Sequence, residues 1–186
     1  MPPKIKITRD EILSAAVDII RQGGVQALNA RTVAAALHCS TQPVFSNFAT
    51  MEELHRAVAE RADLLFREYL KQEMESNAYP PYKAAGMAYI RFAKEEKELF
   101  KLLYMCDRQG APVPNGGDLL NQMESMVHQN TGLHSTDARL FHLEMWVYVH
   151  GIAVMFATGY LDLDWELVSR MITDVYQGLR KRYEVE

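Results

Sequence analysis

The chain is poor in residues that interrupt secondary structure, with 10 glycines and 7 prolines in 186 positions. Long helices are the natural outcome when those residues are scarce and Ala, Leu, Met and Glu are plentiful. Cysteine is scarcer still. Cys39 and Cys106 make no C-x-x-C pair and no disulfide framework, which places the chain in a reducing cytoplasm. A signal-peptide block is missing too, because Ile5, Ile7 and Ile12 are interrupted by Lys4, Lys6, Arg9, Asp10 and Glu11. Catalytic signatures are equally absent. There is no H-E-x-x-H, no Gly-rich phosphate loop, and neither cysteine stands beside an evident base. Glu52-x-x-His55 is half of a di-iron carboxylate motif whose other half is missing, and His142 and His150 are too far apart on one helix for one metal. No enzyme, cofactor or metal is expected.

One long apolar run is present, at residues 140–160. It has the length of a bilayer span. Glu144, His142 and His150 lie inside it, Asp162, Asp164 and Glu166 follow at once, and no Lys or Arg flanks it. Those charges favour a helix buried in protein on both faces over a membrane helix. Charge is otherwise uneven. Up to Arg56 the chain has six Lys/Arg against five acids, and beyond it 14 against 19, so a net +1 precedes a net −5. A polyanion would have to be met by the first quarter of the chain.

Thr8-Arg9-Asp10-Glu11 is a capping box, and Ile12, Ala15, Ala16, Ile19 and Ile20 then recur at helical spacing until Gly23-Gly24. Asn29 is placed to cap a short helix through Leu37. His38-Cys39-Ser40 is long enough only for a tight turn. Ser40 is then placed to cap a second short helix through Asn47, with Pro43 tolerated in its first turn. Thr50-Met51-Glu52-Glu53 opens a helix to about Ser76, which Tyr79-Pro80-Pro81 ends. Further helices are expected at 82–94, 99–106, 118–130, 135–160 and 163–183, with a bend at 95–98 and a loop at 110–117. The predicted fold is all-α with about nine helices. An N-terminal three-helix, helix-turn-helix domain spans 1–50 and a C-terminal helical bundle spans 51–186.

Two short helices joined by a three-residue turn and braced by a preceding helix form a helix-turn-helix. Ala34 is small enough for a close crossing, and Val33, Leu37 and Val44 fill it. His38 stands where the turn needs positive φ, which His tolerates better than most residues. The joint spacing of Ile12-Leu13, Ala15-Ala16, Gly24, Arg31, Val33-Ala34, Ser40, Val44-Phe45, Phe48 and Glu52-Glu53-Leu54 resembles the TetR-type (tetracycline-repressor-like) DNA-binding domain over about residues 8–55. Further on, Ala88 to Ala93, Leu99 to Leu103, and Trp146 with His150-Gly151 resemble one C-terminal subgroup of that family. The resemblance implies a ligand-responsive transcription factor, usually a repressor, that is homodimeric through its last two helices. Three positions depart from the family pattern: Phe45 for Tyr, Met51 for Lys and His38 for Gly. The first two remove phosphate contacts, and residues 41–47 contain no basic side chain.

In this reading double-stranded DNA is met by Arg31, Thr41, Gln42, Phe45, Ser46 and Asn47. Gln42 can pair with adenine and the Thr41 methyl can pack on thymine, while Ser46, Asn47 and the N–H groups after Thr50 can donate to phosphates. Arg31 should sit at the duplex backbone or an adjacent groove. Lys4, Lys6 and Arg9 form a short basic arm. Residues 140–160, with Gly151, Ala153 and Ala157 permitting close approach, pair with the apolar stripe of the next helix as the dimer face. The aromatic and Met-rich body suits a small apolar or aromatic effector, with Phe92, Tyr104, Met123, Trp146 and His150 as its lining. The alternative is a helical ligand-binding or protein-interaction module whose DNA binding has weakened, which Phe45, Met51 and the neutral recognition helix motivate.

Overall fold

The computed structural model describes residues 7–106 and 116–184; Lys4, Lys6 and positions 110–115 of the loop expected at 110–117 lie outside them, and positions 116–117 open a helix instead. Among the described residues there are nine α-helices and no strand. By contacts the chain divides into two compact units, Met1–Leu65 with Glu96–Cys106, and Phe66–Glu95 with Asp107–Glu186.

The first unit contains α1 (Arg9–Gly23), a 3-10 turn (Val25–Ala27), α2 (Ala30–Ala36), α3 (Gln42–Asn47), the start of α4 (Met51–Glu75) and α6 (Lys97–Tyr104). The Thr8–Glu11 capping box forms in full, and Ile12, Ala16, Val17 and Ile20 become the buried face of α1. Gly24 ends the helix at φ +73°, where a Cβ would lie 3.0 Å from Glu98 Oε2. α6 joins this unit by packing on α1 through Leu99, Phe100 and Leu103. A two-pronged ion pair reinforces it, with Arg21 Nε and Nη2 donating to Glu96 at 2.8 and 2.7 Å.

The second unit contains the rest of α4, α5 (Pro81–Glu95), α7 (Gly116–Thr131), α8 (Ser135–Thr158) and α9 (Trp165–Arg182). α5 is its centre and packs on α7, α8 and α9, with Ala84, Met87, Ala88, Ile90, Phe92 and Ala93 fully enclosed. α8 is the one helix among the described residues that is long and apolar enough to cross a membrane. One of its faces, through Phe141, Met145, Val149, Ile152 and Phe156, is core of the unit. The expectation of cover on both sides holds within this subunit for that face only: Leu140, Leu143, Trp146 and Val147 are between 41% and 58% exposed. Glu144 inside the apolar run is paired, accepting from Arg182 and from the Tyr183 hydroxyl. On α9 the expected stripe is partly used inside the unit, with Val168 and Ile172 buried and Leu167 exposed.

Candidate functional site

The helix-turn-helix closes around one left-handed residue. Asn29 caps α2 by accepting from the Arg31 and Thr32 N–H groups at 3.0 and 3.1 Å. His38 takes φ +51°, as the turn requires, and the Cys39 N–H donates back to the Ala34 carbonyl at 2.9 Å. Val33 and Val44 meet in the crossing with at most 1% of their surface exposed. The N-cap of α3 departs from expectation. Thr41, not Ser40, occupies that position, and no side chain caps the helix. Pro at its second position lacks an N–H, so the missing cap leaves one fewer donor without a partner.

This packing leaves Arg31, Gln42, Phe45 and Ser46 exposed, with Thr41 and Asn47 half-buried. Two of the expected phosphate donors are already engaged. The Ser46 hydroxyl donates to the Gln42 carbonyl at 2.9 Å, and the Asn47 amide donates to the Pro43 carbonyl at 2.8 Å. The first turn of α4 is engaged as well, because the Glu53 N–H donates to Thr50 Oγ1 and the Glu53 carboxylate accepts from the Ala49 N–H. The Ala49 N–H and then Arg9 hold the Glu53 carboxyl below the ordinary range, and the Glu52 carboxyl is held low by its own N–H and the Thr50 hydroxyl. Two carboxylates at that helix start oppose a phosphate electrostatically.

Arg9 is a correction to the basic-arm expectation. Its guanidinium lies over the Phe48 ring at 3.9 Å, donates to the Asn47 carbonyl at 2.5 Å and pairs with Glu53 at 3.1 Å. It therefore pins α1 to the end of α3 and the start of α4. These partners are 38 and 44 residues away along the chain, and no local spacing announces them.

Four of the five effector candidates, Phe92, Met123, Trp146 and His150, lie in the second unit; Tyr104 lies in the first, against Phe100. Trp146 and His150 come together as a stack at 5.0 Å with 18° between planes. Phe92 is fully buried between Phe66 and Tyr69, each at 5.5 Å, and Met123 is buried on α7. A groove of about 290 Å³ runs between α7 and α8, lined by Asn121, Glu124, Ser125, His128, Ser135 and Ala138. None of the five candidates lines it.

Two tyrosine–histidine pairs span the α5–α8 interface. The Tyr82 hydroxyl lies 2.9 Å from His142 Nδ1, and the Tyr89 hydroxyl 2.9 Å from His150 Nδ1. Burial holds both imidazoles below their ordinary pKa and raises that of the Tyr82 phenol. Each neutral ring is then placed to accept from a phenol at Nδ1. The spacing that produces this, seven residues on α5 and eight on α8, stood in the sequence, but which helices would face each other did not.

A family model described as "Tetracyclin repressor-like, C-terminal domain" matches residues 82–175, just over half of the chain. Among curated proteins none matches by sequence. Several solved structures share the fold. A protein of unknown function from Rhodococcus sp. RHA1 is 22% identical with a TM-score of 0.74, over 97% of this chain and 98% of that one. A TetR-like transcriptional regulator from the same source is 19% identical with a TM-score of 0.68, over 98% and 97%. The multidrug binding protein EbrR, complexed with malachite green, is 18% identical with a TM-score of 0.63, over 92% and 98%. With the all-helical fold, the N-terminal helix-turn-helix and a family match over α5 to α9, this chain belongs to the tetracyclin repressor-like family of ligand-responsive, DNA-binding transcriptional regulators.

Proposed function

We propose that the chain binds a near-palindromic operator as a homodimer, acts as a repressor, and is released by a small apolar or aromatic effector. Operator binding resides in residues 1–50, and effector binding with dimerisation in residues 51–186. The observation that carries the reading is the helix-turn-helix itself: α3 packs on α2 through Val44 and leaves Gln42 and Phe45 outward. Such a helix enters the major groove with its N-terminal residues toward the bases. Arg31, Thr41, Gln42, Phe45, Ser46 and Asn47 form the DNA face, with Ser46 and Asn47 fixing the end of α3. Phe92, Tyr104, Met123, Trp146 and His150 are proposed for the effector, and the Trp146–His150 stack is the pair that supports an aromatic ligand best. The shared fold with EbrR, itself complexed with malachite green and with imidazole, is consistent with a small-molecule effector. Effector binding then favours a dimer in which the two recognition helices no longer fit successive grooves.

The test is selection of duplexes from a random pool at moderate salt, with Gln42→Ala as control. An enriched palindrome that the control loses is the expected result. A second reading keeps the ligand and the dimer and drops the operator. It is favoured by an α3 without a cation, with Ser46 and Asn47 engaged, beside an acidic first turn of α4. A folded dimer that enriches no duplex would establish it.

A further inference from the structure

We propose that Phe45 is a base-reading residue, seating its ring against a thymine 5-methyl group at one position in each half-site. This inference rests on the operator-binding reading and adds to it a named reader and a named base. Phe45 is 50% exposed on a six-residue helix, so half of a large apolar side chain is presented outward. It stands three residues after Gln42, on the same face and within the turn and a half that faces a groove. Two polar side chains of α3 are engaged within the helix: Ser46 with the Gln42 carbonyl and Asn47 with the Pro43 carbonyl.

The chemistry then narrows the choice. A phenyl ring has no donor for a phosphate or for a base edge. The one apolar group on a base edge in the major groove is the thymine methyl. Covering that methyl removes apolar surface of both partners from water, whereas placing the ring on a phosphate would desolvate a charge with nothing in return. Gln42 and Phe45 together therefore read adenine and thymine, one by hydrogen bonds and the other by shape.

Replacing thymine by uracil deletes the methyl and leaves base pairing intact, so it isolates this contact. Each thymine of the selected palindrome is replaced in symmetric pairs, and affinity is measured for the wild type, Phe45→Ala and Phe45→Tyr. One pair should cost the wild type about fourfold per half-site, about fifteenfold together, the value of one buried methyl in each. Phe45→Ala should lose that discrimination and Phe45→Tyr should keep it. The ratio between thymine and uracil duplexes is the readout, and a general weakening by either variant leaves it unchanged. Uracil tolerated within twofold at every position, or no position whose penalty Phe45→Ala removes, overturns the assignment while leaving operator binding standing. Failure to enrich any duplex removes both.

Discussion

At the scale of single residues, the buried histidines set a pH dependence whose sign follows from their partners. His142 and His150 are held below their usual pKa of 6.5 by burial, with Glu124 partly opposing the effect at His142. The unfolded chain therefore takes up protons near pH 6.5 that the folded chain resists. Stability is full above that pH and falls as the pH drops through and below it. Glu11, Glu52 and Glu53, whose carboxyls lie below 4.5, act in the same direction only in more acidic solution. Urea midpoints should thus be lower at pH 5.5 than at pH 7.5, and His142→Gln with His150→Gln should flatten that difference. An unchanged slope in the double variant would show that the histidines do not carry it. Arg9 makes a second residue-scale prediction. As a pin between α1, α3 and α4, half exposed, it should stabilise the fold by about 1 kcal/mol. Arg9→Ala should lower Tm; intact Tm with weakened DNA binding would instead return Arg9 to the duplex.

At the scale of elements, helix ends separate what was legible from what was not. Thr8 was legible, because a capping box is written in four adjacent residues and forms as written. Thr8→Ala should cost about 1 kcal/mol, read as a shifted denaturation midpoint. Thr41→Ala, at a start where no side-chain bond is made, should be nearly neutral by the same measure. Assigning that cap to Ser40 failed because the left-handed His38 and the Cys39-to-Ala34 bond carry the chain further before α3 begins. The turn at Val25–Ala27 went unread for a related reason: three residues are too few to show a period. α4, α8 and α9 were legible to within a few residues, their periodicity running over many turns. α6 was legible as a helix, but its membership of the first unit was not, since Arg21–Glu96 and Gly24 beside Glu98 join segments more than 70 residues apart. The same limit hid the tyrosine–histidine pairs and the placing of Tyr104 with the N-terminal helices. Gly24→Ala tests that junction. Positive φ and the close Glu98 oxygen act together, so a loss of at least about 1 kcal/mol is expected in the same denaturation experiment.

At the scale of the whole molecule, the outer face of α8 links the fold to the proposed dimer. Leu140, Leu143 and Val147 follow at three and four residues, a single stripe, and 42%, 51% and 58% of their surfaces are exposed. Trp146 borders the stripe, and a side chain at Gly151 on the same helix would meet nothing within the subunit. A second copy laid on this face would bury the stripe against itself, and a stable homodimer of this kind often covers about 2,000 Å² or more. Val147→Glu separates that assignment from a free surface. On a monomer it exchanges one exposed side chain for a better-solvated one, and Tm should not fall. Across a two-fold axis it buries two carboxylates without partners, each opposed by several kcal/mol of desolvation. Sedimentation equilibrium should therefore show dimerisation weakened, with the dissociation constant raised by at least about 100-fold and helix content unchanged. Because a palindrome is held by two recognition helices at once, affinity for the selected duplex should fall with the dimer while a single half-site is bound as weakly as before. A variant that stays dimeric would place the interface elsewhere, and one that becomes monomeric yet holds the full palindrome undiminished would break the link between α8 and operator recognition.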